Sequence, residues 1–180
     1  EPGSANSLSA NTDFVIDTSA PTMTITAANG SGTAITSGST TNDQTLILTF
    51  TASEPTANFI VDDVTIVGGT LSNFAATSSK VYTATLTPSN NSVTSVNVAA
   101  NKFTDTAGNN NAVSNQFTWS RDNIAPSMTI TASDGTNPIP DGATTNDKSI
   151  IVFFNASEPT TNFTVEDVTL SGGTLGNFLA

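Results

Sequence analysis

The 180-residue chain contains no cysteine and no histidine. The first absence removes disulfide stapling and thiol catalysis and leaves the redox compartment open. The second removes imidazole-based zinc sites and serine–histidine triads. Basic residues are scarce as well: 4 Lys and Arg stand against 15 Asp and Glu, a net charge of −11. That balance repels nucleic-acid phosphates and anionic membrane surfaces, and it recruits cations. No apolar run approaches the roughly 18 residues that a membrane-spanning helix requires, the longest being Ile150 to Phe154, so no membrane insertion is expected. With one Trp and one Tyr, there is little material for the exposed aromatic platforms that usually bind carbohydrate. Only 11% of residues are charged, so the polar surface is left to Thr, Ser and Asn, short side chains suited to strands and turns and common in secreted proteins. The chain starts Glu-Pro-Gly-Ser without Met or a signal peptide, which reads as a mature or internal piece.

What the chain has in quantity is repetition. DTSAPTMTITAANG at Asp17 to Gly30 returns as DNIAPSMTITASDG at Asp122 to Gly135. Pro21 and Pro126 lie 105 positions apart, and Glu54 in SEPTANF lies 104 positions from Glu158 in SEPTTNF. Gly68-Gly69-Thr70-Leu71 matches Gly172-Gly173-Thr174-Leu175. A period of about 105 residues is too long for a solenoid repeat and is the size of one β-sandwich domain. The expected division is a complete copy over 17–121 and the N-terminal part of another over 122–180, with Ala180 at the position of Ala76. In residues 1–16, SANTDFVID resembles VSNQFTWSRD at the end of the complete copy, as the last strand of a preceding repeat would. The sequence reads as a window on a longer tandem array.

Within one copy, short alternating segments are separated by turn residues. Thr22 to Ala28 puts Met23 and Ile25 on one face and Thr22, Thr24 and Thr26 on the other; Thr45 to Thr51 sets Leu46, Leu48 and Phe50 to one side. Further strands are expected at Val64–Val67, Thr70–Ala75, Lys80–Leu86, Val93–Val98 and Asn115–Trp119. Gly68-Gly69, Thr87 to Asn90 and Gly108-Asn109-Asn110 punctuate them, and no segment keeps a helical period. The fold class is all-β: tandem immunoglobulin-like, seven-stranded β-sandwiches placed end to end, the second cut short. That second copy retains counterparts of only the first four strands. It is expected to be ordered only where further chain or a neighbouring subunit supplies the rest, because a remnant exposes apolar faces and open edges. Pro21 and Pro126 stiffen the linkers, since each fixes its own φ and restricts the residue before it.

Sharper chemistries find little support. Asp62-Asp63 is an adjacent carboxylate pair, but consecutive strand residues point opposite ways, so a turn-shaping role for Asp63 and its counterpart Asp167 is preferred to glycoside hydrolysis. The Thr22, Thr24, Thr26 ladder is a solvent-facing strand rather than an ice-binding face. Lys80 and Lys102 are read as solvated lysines rather than partners in isopeptide bonds. Phe117 and Trp119, two apart in the last strand, share the core face. Sequons at Asn29, Asn90, Asn155 and Asn162 matter only in a host with the glycosylation machinery.

Taken together, Asp-x-x-Ala-Pro, Ser-Glu-Pro-Thr, Gly-Gly-Thr-Leu-x-Asn-Phe and Phe103-Thr104-Asp105-Thr106-Ala107-Gly108-Asn109 resemble bacterial immunoglobulin-like repeats, over essentially the whole chain. The resemblance implies the tandem stalk of a giant secreted adhesin or other large surface protein. Such a stalk is extracellular, displayed at the cell surface, and often stiffened by calcium at its domain junctions. It implies no enzymatic activity. Strand parity then selects residues. If the first strand runs down and each successor reverses, the start of the first strand, the loop after the second and the loop before the last share one pole. That pole collects Asp17, Glu54, Asp105 and Asn109, a set of oxygen donors suited to calcium, which takes about six to eight oxygens, and unsuited to zinc. Asp122 and Glu158 recur in the same roles in the second copy, whose last loop is missing, so that junction is expected to bind more weakly. The expected partners are neighbouring repeats or subunits. The leading reading is a structural stalk or spacer. The alternatives are a subunit of a self-assembling filament, sheath or surface layer, and a non-catalytic module of a secreted enzyme. The surface ligand is not legible.

Overall fold

The computed structural model describes residues 16–89 and 93–179. The reading of residues 1–16 as a strand therefore falls, up to residue 15, outside the described residues, as does the sequon at Asn90. The chain divides into two compact units, Glu1–Asn123 and Ile124–Ala180.

The first unit is a two-sheet sandwich. One sheet has the order β2-β1-β4-β7-β6, with β1 at Met23–Ala28, β2 at Ala34–Ile35, β4 at Leu46–Ala52, β6 at Gly69–Ala76 and β7 at Val81–Pro88. The other has the order β3-β9-β8-β5, with β3 at Thr40–Thr41, β5 at Val64–Val67, β8 at Val93–Val98 and β9 at Phe117–Arg121. All seven expected strands are present within a residue or two of their bounds. The additions are β2 and β3, two-residue strands that extend one edge of each sheet. Period-two alternation decides which side chains face inward. Met23, Ile25 and Ala27 of β1 are buried while Thr24 and Thr26 are exposed, and β4 buries Leu46, Leu48 and Phe50 completely. Phe117 and Trp119 of β9 lie in the same core. The indole N–H of Trp119 donates to Thr41 Oγ1 at 3.0 Å, which satisfies its one polar atom and ties β3 to β9.

Two local devices shape this unit. In β6 the register against β7 shifts between Ser72 and Ala75, a bulge at which Asn73 takes φ 52°, a left-handed conformation that Asn tolerates better than most residues. A Cβ on Gly69 would lie 2.8 Å from the Thr87 carbonyl oxygen, so β6 approaches β7 too closely there for a side chain. Asp62 and Asp63 do not lie in a strand, as assumed from the sequence, but in a 3-10 turn at Val61–Asp63. Asp63 Oδ2 accepts the Ile60 amide at 3.0 Å, and Asp167 does the same for Thr164 at 2.8 Å, so both carboxylates shape the turn.

The second unit repeats the opening moves. Its strands β10 (Met128–Ser133), β11 (Pro138–Ile139) and β12 (Ile151–Ala156) form a sheet of order β11-β10-β12. Met128 pairs Ala156 and Ile130 pairs Phe154, as Met23 pairs Ala52 and Ile25 pairs Phe50. The expected four-strand remnant is not what forms: residues 168–179 contain no strand. The reason lies in the pairing pattern of the first unit, where β5 pairs with β8 and β6 with β7. The second unit has no counterpart of either partner among its described residues, and a strand without a ladder partner leaves its backbone groups unpaired.

Gly69→Ala should lower the stability of the first unit by about 1–3 kcal/mol, because backbone rather than a flexible side chain blocks the new methyl. At the equivalent Gly173 the nearest contact is Leu170 Cδ2 at 3.9 Å, so Gly173→Ala should stay within about 0.5 kcal/mol of the parent. Amide exchange in β4 and in β12 reports the two effects separately.

Candidate metal centre

The pole at which the chain enters the first unit is built from three stretches far apart in sequence. The segment leading into β1 carries Asp17, the loop leaving β4 opens with Glu54, and the loop between β8 and β9 carries Asp105. One ligand oxygen from each of these carboxylates lies within 4.8 Å of the others. Asp17 is exposed, Glu54 half-buried and Asp105 only 2% exposed, so the cluster runs from solvent into the domain.

Backbone geometry holds the three in place. Thr56 and Asp105 form an isolated antiparallel bridge, and the Ala57 amide donates to the Thr104 carbonyl at 2.9 Å, stitching the two loops together. Asn58 Oδ1 accepts the Thr104 amide at 2.8 Å. Asn109 closes the second loop back on Asp105: its amide reaches Asp105 Oδ1 and its Nδ2 reaches Oδ2, both at 2.8 Å. The same Nδ2 donates to the Asp17 carbonyl oxygen at 3.1 Å. Asn109 thus enters the cluster as a donor that aims Asp105 and holds the entering chain. Beneath it, Asn111, 2% exposed, accepts the amides of Lys102 and Phe103 at 2.7 and 2.9 Å. It also donates to the carbonyls of Ala99 and Ala112 at 2.8 and 2.7 Å.

The electrostatics follow from this packing. Glu54 has its carboxyl pushed up from the ordinary 4.5, first by partial burial and then by the negative charges of Asp17 and Asp105, with Lys80 offsetting part of the effect. Burial is also the largest single influence on Asp105 and pushes it up. Hydrogen bonds from the Asn109 side chain and from the amides of Asn109, Gly108 and Ala107 together outweigh it and hold this carboxyl below 3.8. The two acids answer differently because Asp105 receives N–H donors, whereas Glu54 faces like charge. All the donor atoms gathered here are oxygens, so the cluster suits a hard cation and lacks the nitrogen and sulfur that zinc prefers.

The other two expected ligands belong elsewhere. Asp122 closes the first unit, its amide donating to the Thr41 carbonyl at 2.9 Å. Glu158 is half-buried in the second unit, and its Oε1 has no hydrogen-bond partner among the described residues. Sequence reasoning missed the braces: Asn58, Asn111, and Asn115, which exchanges two hydrogen bonds with the backbone of Ile25 at 2.7 and 3.0 Å. It also missed Ser53, whose Oγ accepts the Thr22 amide at 3.0 Å, as Ser157 does for Ser127 at 2.9 Å. The recurrence of Ser53 and Ser157 in SEPT was a signal that went unused; nothing in the local sequence distinguishes Asn111 from its surface neighbours. Lys80 and Lys102 are both exposed, and Lys80 Nζ caps the Ser53 carbonyl at 2.9 Å.

Two facing sheets with β1, β4, β7 and β6 in one and β9, β8 and β5 in the other define an immunoglobulin-like β-sandwich. A family model described as bacterial Ig-like domain matches residues 17–120, more than half the chain, and the chain belongs to that family. The domain is typically a non-catalytic module. No curated protein and no solved structure matches the chain.

Ionisation of Glu54 costs stability wherever the folded chain holds its proton more tightly than the unfolded chain does. That cost is fully present above the raised pKa and vanishes as pH falls below 4.5. In chelator at pH 7, Glu54→Gln should therefore melt at a higher temperature than the parent, and the advantage should shrink to nothing towards pH 4. A lower midpoint for the variant at pH 7 would contradict the assigned repulsion.

Proposed function

We propose that this chain is a structural stalk or spacer segment of a secreted bacterial surface protein, in which calcium bound at the domain junction limits bending. Asp17, Glu54 and Asp105 would hold the ion, and backbone carbonyls and water would complete its shell. The ion would supply positive charge where three carboxylates now face one another. The observation that carries this reading is that convergence, at the pole where the chain enters the domain. An ion there would tie the segment before β1 to both loops of the domain that follows. Pro21, which is buried, and Pro126 restrict the backbone at the corresponding points of the two units. The extracellular location and the neighbouring repeats as partners belong to the same proposal; they draw support from the Thr-, Ser- and Asn-rich polar composition and from the repeated sequence.

Extracellular calcium modules bind at roughly 10⁻⁴ to 10⁻³ M. A tenfold excess of calcium over that constant should raise the melting temperature of the 180-residue chain by on the order of 5–10 °C relative to chelator. Asp17→Ala combined with Glu54→Ala should abolish the rise. A midpoint indifferent to calcium in the parent, or an equal rise in the double variant, would refute the metal. Small-angle scattering in calcium tests the extension separately: an elongated particle is expected, and a compact side-by-side pair of units would count against it.

A further inference from the structure

Asn29-Gly30 is the only Asn-Gly step in the chain. Such a step is chemically distinct because glycine, with no Cβ, leaves its own amide nitrogen unhindered towards Cγ of the asparagine before it. It lies in the turn joining β1 to β2, where Asn29 is half-buried and Gly30, Ser31 and Gly32 are exposed, so water reaches it. Nothing lies within 4 Å of where a Cβ on Gly30 would stand, and the backbone there has room to move.

The folded turn nevertheless holds the side chain by its oxygen. Asn29 Oδ1 accepts the Ser31 hydroxyl at 2.7 Å and the amides of Thr33 and Ser31 at 2.9 and 3.2 Å. The Asn29 amide donates to the Thr33 carbonyl and the Gly32 amide to the Asn29 carbonyl, both at 2.9 Å. Bringing Gly30 N to bonding distance of Asn29 Cγ needs rotation of the side chain and of the peptide that follows it, which these hydrogen bonds oppose. They are local, however. β2 is a two-residue strand at the edge of its sheet, and such an edge opens without unfolding the domain.

The second unit carries the acid at the same point. Asp134-Gly135 stands where Asn29-Gly30 does. Asp134 Oδ1 accepts the amides of Thr136 and Asn137, both at 2.7 Å, and the Asp134 amide donates to the Asn137 carbonyl at 3.1 Å. Those two amides hold the Asp134 carboxyl below 3.8, so this turn favours a carboxylate. Among the described residues every hydrogen bond of the Asn29 side chain runs through Oδ1, and exchanging Nδ2 for oxygen breaks none of them.

We propose that Asn29 is a deamidation site: the folded turn slows the conversion and accepts its aspartate product as it accepts Asp134. Gly30 N, its proton lost to solvent base, attacks Asn29 Cγ; the Cγ–Nδ2 bond breaks, and Nδ2 leaves as ammonia after taking a proton from water. Water then opens the succinimide. Attack at Cγ restores the main chain with aspartate at position 29, whereas attack at the main-chain carbonyl carbon leaves isoaspartate. The sum is one water consumed, one ammonia released and one negative charge added, with no oxidation or reduction. Isoaspartate inserts an extra backbone atom and disrupts the pairing of Asn29 with Thr33; aspartate does not. The inference is independent of the metal, since Asn29 follows the end of β1 and Asp17 precedes its start.

The test incubates the 180-residue chain, and a synthetic peptide of the sequence Thr26–Thr36 as the unstructured reference, at mildly alkaline pH. Mass spectrometry follows the amide-to-acid mass gain and the isoaspartate content at Asn29. The peptide should convert at least about tenfold faster than the folded chain, because it lacks the hydrogen bonds to Oδ1, and the chain in urea should match the peptide. Ser31→Ala, which removes the hydroxyl donor, should speed conversion in the folded chain by about two- to tenfold. Amide exchange in Leu46–Ala52 should stay unchanged in that variant, which marks the effect as local to the turn. Asn29→Asp should melt no lower than the parent. The proposal fails if the folded chain converts as fast as the peptide, or shows no conversion after many peptide half-lives. It fails as well if Ser31→Ala leaves the rate unchanged, or if Asn29→Asp lowers the melting temperature.

Discussion

The structure depends on one constraint: a strand keeps its form only while another strand satisfies its backbone. In the first unit the partner on which most depends is β7, which pairs β4 on one side and β6 on the other and brings Tyr82, Ala84 and Leu86 into the core. The second unit shows the same local sequence without that partner among its described residues. Its β10 and β12 still pair in the register of β1 and β4, because each contains the other's ladder. The stretch corresponding to β6 falls out of strand, although Asn177 keeps its bulge conformation.

The carboxylate cluster is a product of the same architecture. Asp17, Glu54 and Asp105 approach only because two loops and the entering chain are brought to one pole by alternating strand directions. Their placement is then fixed by neutral groups. Asn109 holds both oxygens of Asp105, and Asn111 makes four hydrogen bonds beneath it. A buried amide with all its partners present is rigid, and losing any of them leaves a costly unsatisfied group. The result is a site in which one acid, Asp105, is stabilised as an anion while its neighbour Glu54 is strained by like charge. In the proposed reading a cation would relieve that repulsion, while hydrogen bonds already hold the two loops together.

What the sequence by itself determined was periodic and local. The 105-residue repeat gave the domain size, period-two alternation gave all seven principal strands and their inward faces, and the Pro, Gly and Asn positions gave the turns. Strand parity was enough to place Asp17, Glu54 and Asp105 at one pole, since it counts reversals and needs no coordinates. Tertiary structure alone decided the rest. Whether residues 168–179 become strands depends on partners elsewhere in the chain, which no local pattern encodes. The bracing roles of Asn58, Asn111 and Asn115 arise because backbone groups from distant segments converge on them, and such convergence leaves no periodic trace. The split between Glu54 and Asp105 is of the same kind: two similar, partly desolvated side chains acquire opposite behaviour because folding gives one of them N–H donors and the other negative neighbours that Lys80 only partly offsets.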